Sequence, residues 1–146
     1  MKFKLICFTI FIFLVGAFSL AKNNNYDGIK ILKVYDGDTV LAEINDKKYK
    51  SINTFRIRLV GIDCLEGSKS QRAEYQAKKY NLTLDEVVNG GNIAGAILKQ
   101  ELKNKTITFE FRGIDKYSRA LGIIYANDEN INDKMLNTEY CMPYPD

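Results

Sequence analysis

Tyr35-Asp36-Gly37-Asp38-Thr39, set between apolar runs at residues 28–34 and 39–44, is the stretch on which the fold reading turns. Asp-Gly between two such runs is a strong hairpin-turn signal, so the flanking runs are expected as paired strands. In the first run the apolar positions are Ile29, either Ile31 or Leu32, and Val34. A second polar turn follows at residues 45–48. Residues 50–61 then alternate in their latter half, with Phe55, Ile57 and Leu59 on one face and Arg56 and Arg58 on the other. That makes three strands.

Downstream the pattern changes period. Residues 70–80 are polar, with alanine and tyrosine at roughly helical spacing. Thr83-Leu84-Asp85-Glu86 fits a capping box ahead of a very short helix that Asn89-Gly90-Gly91 would stop. Asn92 could then cap a helix over residues 93–102, with Ile93, Ile97 and Leu102 on one side. Residues 105–112 alternate as a strand with Ile107, Phe109 and Phe111 inward, residues 119–125 supply a fifth strand, and residues 131–137 a short last helix. Three strands, the main helix, then two strands is the α+β order of a five-stranded OB-fold-type β-barrel, with that helix between strands 3 and 4. A less specific small α+β domain is the alternative.

A chain of 146 residues suits one domain, and 46% hydrophobic with 27% charged residues is ordinary globular composition. Residues 1–21 read differently. Met1-Lys2-Phe3-Lys4 is a positive start, residues 5–15 are almost wholly apolar, and Ser19-Leu20-Ala21 places small residues at a cleavage site. This is the pattern of a secretory signal peptide cut after Ala21. A retained membrane anchor is the competing reading, although the run falls short of the ~20 apolar residues a spanning helix needs. Residues 22–27 are then a flexible lead-in and residues 28–146 the folded domain, secreted or periplasmic. Losing Lys2 and Lys4 with the leader lowers the formal net charge from +3 to +1. Attraction to phosphate must therefore come from local placement of cations rather than from bulk charge.

The chain contains no histidine. That excludes Ser–His and Cys–His nucleophiles, a histidine general base and histidine-ligated zinc. Hydrolytic chemistry must run on carboxylates, lysine, arginine, tyrosine and a metal held by oxygen. Cys64 and Cys141 remain once the leader is removed. In an exported protein such a pair is often a disulfide, and whether their Cα atoms approach closely enough is open at this level. Arg58, Asp63 and Glu66 lie at or near the end of one strand, and a hairpin beside it would bring Asp38 close. Carboxylates crowded together raise one another's pKa, and a hard divalent cation such as Ca²⁺ or Mg²⁺ is the natural compensation.

Asp36-Gly37-Asp38-Thr39, Arg58 five residues before Asp63, Glu66 three after it, and Asp115-Lys116-Tyr117-Ser118-Arg119 together resemble the thermonuclease family of staphylococcal-nuclease-like endonucleases, over residues 29–137. The resemblance implies a Ca²⁺-dependent endonuclease, monomeric, acting on DNA and RNA with little sequence preference and favouring single-stranded or locally melted substrate. It implies Asp38, Asp63 and the Cys64 backbone carbonyl as metal ligands, and Glu66 as general base or positioner of the attacking water. Arg58 and Arg119 are implied to neutralise the phosphate, and Lys116 and Tyr117 to hold a flanking one. The sequence departs from the family at four places. Cys64 stands for threonine, Leu65 for proline, Ser118 for glycine, and residues 67–91 are an insertion. The family's C-terminal helix is expected to be absent, with a Cys64–Cys141 bridge as one way to offset it. A non-catalytic OB-type nucleic-acid-binding module is the alternative function.

Overall fold

The computed structural model describes residues 25–46 and 51–145. The expected signal peptide, residues 22–24 and part of the second polar turn lie outside them. The first hairpin pairs β2 (Ile29–Val34) with β3 (Thr39–Asp46), which in turn pairs antiparallel with β4 (Ser51–Leu59). A bulge between Ile31 and Lys33 settles the choice left by the sequence. Ile31 packs against the core and Leu32 is turned out to solvent. In β4, Ile57 and Leu59 are buried and Phe55 packs against the core, while Arg56 and Arg58 take the other face.

The later pair is β6 (Ile107–Ile114) and β7 (Ala120–Ala126), antiparallel, with β7 running parallel to β4. The main sheet therefore runs β6-β7-β4-β3-β2, the strand order of an OB barrel, although its hydrogen-bonded path stays open between β2 and β6. Val40, Ala42, Ile57, Leu59, Phe109 and Ile124 fill it. Four short strands were not anticipated. β1 (Asn25–Asp27) pairs with β6, so this part of the expected flexible lead-in is an edge strand. β5 (Ile62–Cys64) pairs with β9 (Cys141–Pro143), and β8 (Glu129–Asn130) extends β7 ahead of α3 (Ile131–Leu136). Buried Asn132 ties α3 to the sheet, donating to the Val60 and Gly122 carbonyls and accepting from the Ile124 N–H.

Between the halves lie α1 (Gln71–Tyr80) and α2 (Leu84–Leu102). Thr83 and Glu86 form the expected capping box. The expected stop at Asn89-Gly90-Gly91 does not occur: α2 runs through it as one helix of 19 residues. The inward face is consequently Val87, Gly90, Gly91, Ala94, Leu98 and Leu102, and Ile93 is exposed. Glycine costs a helix interior about 1 kcal/mol against alanine, and here the missing side chain is needed. A Cβ on Gly91 would collide with the Glu66 backbone, and one on Gly90 with Leu65. The first half of α2 and α1 also enclose a second small core around Leu65, Ala73 and Val87. Leu65, the family's proline position, anchors it.

Candidate active site

One cleft, about 1320 Å³, collects Asp36, Asp38, Arg58, Asp63, Glu66, Lys116, Tyr117 and Arg119. Every side chain expected to act lies on it, and Arg72, Asp115 and Tyr144 join them.

Asp38 follows the β2–β3 turn, closed by Tyr35 N–H donating to the Thr39 carbonyl at 2.9 Å. Gly37 lets that turn press against β5, since a Cβ there would meet Cys64 and Ala94. The approach allows buried Asp38 to accept from the Cys64 N–H at 2.8 Å and from the Thr39 hydroxyl at 3.0 Å. Its Oδ1 also pairs with Arg58. Buried Asp63 sits between two guanidinium groups, Arg58 at 3.3 Å and Arg72 at 2.7 Å. Cys64 and Cys141, register partners on β5 and β9, are joined by a disulfide.

Glu66 is presented by long-range contacts. Gln76, fully buried on α1, accepts from the Glu66 N–H at 2.9 Å and donates to the Cys64 carbonyl at 2.9 Å. The Leu65 N–H donates to the Tyr140 carbonyl at 2.9 Å. A buried side chain of α1 thus fixes the segment that carries Glu66. The Cys64 carbonyl, an implied metal ligand, has one of its two acceptor positions occupied by Gln76.

Arg119 is organised locally. Asp115 accepts from the Tyr117 and Arg119 N–H groups at 2.8 and 3.0 Å, and pairs with Arg119 Nε at 2.7 Å. Ser118 takes φ +60°, the left-handed region where the family's glycine is at ease. Lys116 and Tyr117 stand exposed at the tip, each cation of this turn lying over the Tyr117 ring.

Charge crowding shows in the titrating groups. Burial pushes the Asp36 carboxyl up, opposed by Arg58. Glu66 is likewise raised, first by burial and then by the Asp36 charge, with Arg72 and Arg58 opposing. A raised glutamate near a bound phosphate is a better proton acceptor than an ordinary one. Burial lowers Arg58, and Asp63 opposes it.

The donor set is wholly oxygen, which suits a hard divalent cation. Asp36, Asp38 and Asp63 line the cleft, but arginines hold the last two, and no three carboxylates or cysteines cluster at metal-binding separation among the described residues. The carboxylates fit such an ion chemically, and Asp38 and Asp63 are paired with Arg58 and Arg72.

Sequence reasoning missed Arg72 and Gln76, whose partners lie 9 to 12 residues back on the Asp63–Glu66 segment, and it gave Asp36 no role of its own. Asp36 does accept from the Asp38 N–H at 3.1 Å, and it also lines the cleft.

Residues 56–144 match the family described as staphylococcal nuclease homologue. Among relatives, the Methanocaldococcus jannaschii protein MJ1439 is 33% identical over 126 residues, covering 79% of this chain and 58% of that protein. Endonuclease Htp3 of Saprolegnia parasitica is 29% identical over 129 residues, covering 79% and 54%. The chain thus spans little more than half the length of these curated relatives. The match takes in Arg58 and Arg119, the end of β4, and all of β6 and β7, while β2 and β3 lie outside it; the chain belongs to the staphylococcal nuclease homologue family.

Proposed function

We propose that this protein is an exported, Ca²⁺-dependent endonuclease that hydrolyses phosphodiester bonds of DNA and RNA as a monomer, with little sequence preference and with single-stranded or locally melted substrate favoured. The observation that carries this reading is the convergence of two arginines, Arg58 and Arg119, with Glu66 and three aspartates on one cleft of an OB barrel. A phosphodiester is anionic and repels a nucleophile, so its hydrolysis needs neutralisation of the phosphate and a base for water. Planar guanidinium groups engage two phosphate oxygens at once, which a lysine ammonium does not. Glu66, held by Gln76, takes the proton of the attacking water, and Lys116 with Tyr117 steadies a neighbouring phosphate. Asp38 and Asp63 would hold the metal, with Asp36 and the Cys64 carbonyl beside them. Bound Ca²⁺ supplies Lewis-acid polarisation of a phosphate oxygen.

One observation favours the second reading, a binding module without hydrolysis: Asp38 and Asp63 are already neutralised by Arg58 and Arg72. Incubating the protein with plasmid and with single-stranded DNA, in Ca²⁺ and in chelator, separates the two. Cleavage that chelator abolishes is expected. Binding with no chelator-sensitive cleavage would establish the module instead.

A further inference from the structure

We infer that the outer face of α1 is a single-stranded nucleic-acid surface, built on Arg72, Tyr75 and Lys79, along which a strand continues once it leaves the cleft. The inference deepens the nuclease reading and rests on it for the identity of what occupies the cleft.

Positions 72, 75 and 79 follow the i, i+3, i+7 spacing that places side chains on one helical stripe. The opposite side of α1 is spoken for: Ala73 and Gln76 are buried and Ala77 and Tyr80 pack into the small core around Leu65. An outer helix face is ordinarily polar and solvated, and cations alone would mean nothing more. Here the stripe carries an aromatic ring. Tyr75 is 52% exposed, with the Arg72 guanidinium 5.5 Å and the Lys79 ammonium 5.8 Å from its ring centre. Cations interleaved with an exposed ring serve both halves of a nucleotide, phosphate on the cation and base on the ring.

Continuity with the cleft supplies the second argument. Arg72 lines the cleft and bonds Asp63, while its guanidinium also sits over Tyr75, so one side chain belongs to both surfaces. Acidic neighbours do not break the path. Glu74 lies about 100° or more around the helix from each of the three positions, and Asp85 is paired with Lys69. A protein partner with an acidic surface would also meet the cations, but it would leave the ring without a stacking role.

The test measures binding, so that it does not depend on hydrolysis. The full chain carrying Glu66→Gln, with chelator present, is titrated against fluorescein-labelled single strands of about 4 and about 12 nucleotides, lengths within the range one OB-type groove and its extension accommodate. In that background, Tyr75→Ala/Lys79→Ala is expected to weaken the longer strand about tenfold, to weaken the shorter one far less, and to lower the salt dependence of binding by about one counterion. Tyr75→Phe should retain the affinity, since stacking needs only the ring. Lys103→Ala, which removes a cation from the end of α2, should leave the length advantage intact. Loss shared equally by both lengths, no loss, or an equal loss in Lys103→Ala overturns the inference. Without Glu66→Gln and with Ca²⁺, failure to cleave alongside a Tyr75-dependent length advantage would sink the hydrolytic reading and leave this surface standing. Normal cleavage with an unchanged length advantage would do the reverse.

Discussion

The two arms of the cleft are built by opposite means. The Asp115–Arg119 turn carries its own organiser, because Asp115 receives the backbone N–H groups of Tyr117 and Arg119 and the Arg119 side chain, all within four residues. The Asp63–Glu66 arm has one local support, the Arg58 guanidinium on Asp63, and is otherwise held from other elements. Its residues are held by Arg72 and Gln76 from α1, by the Tyr140 carbonyl, by the bridge to Cys141 and by the close pass of Gly91. A self-organised turn tolerates change elsewhere in the molecule, whereas a scaffolded arm transmits it. Helix α1, the start of α2 and the Tyr140–Cys141 segment are therefore the frame of the arm that carries Glu66.

The largest effect should be blind to this difference. Arg58→Ala and Arg119→Ala are each expected to lower single-turnover cleavage of single-stranded DNA by about 10²–10³, as for loss of one preorganised charge-stabilising group. A near-normal rate in either variant would remove that arm from the chemistry. The comparison sharpens with the disulfide. It closes a loop of 77 residues between β5 and β9, so Cys141→Ser should destabilise the fold by about 2–5 kcal/mol in urea. Asp115→Ala, by contrast, should lower activity with little change in the urea midpoint. Equal stability losses in the two variants would break the contrast.

Gln76→Ala comes next. It leaves the part-buried Glu66 N–H and the buried Cys64 carbonyl without their partner, at a cost of about 1–3 kcal/mol. It should also lower kcat more than it changes KM. Gln76→Glu, which keeps an acceptor for the Glu66 N–H but loses the donor to Cys64, should recover only part. The smallest effect lies away from the cleft. Lys134 hydrogen-bonds Glu101 and holds its carboxyl below the usual range, against partial burial. A folded-state pKa below the unfolded one contributes stability that is present above the unfolded value and is lost as pH falls through the folded value. Thermal unfolding at neutral and at strongly acidic pH should therefore show a smaller drop for Glu101→Gln than for the unaltered protein. An equal drop would show that the pair contributes nothing.

Much of this was legible because it is local. Alternation in residues 50–61, the Asp-Gly turn and the Thr83–Glu86 box each act over a few residues, and the elements formed where those signals lie. The misreadings share a cause. Gly90-Gly91 reads as a helix stop until the Glu66 segment is seen lying against it, and Ile93 reads as inward only if the helix starts anew at Asn92. Residues 25–27 read as a flexible lead-in because nothing in three polar residues announces a partner more than 80 positions away.

By itself the sequence determined the succession of the five long strands along the chain, the absence of histidine chemistry, and the carboxylates and arginines available, because periodicity and residue type are properties of short stretches. Only the tertiary structure decided that Leu65 anchors a second core, that Gln76 brackets Glu66, and that Arg72 reaches Asp63. Those are contacts between segments whose mutual approach depends on how the whole chain packs.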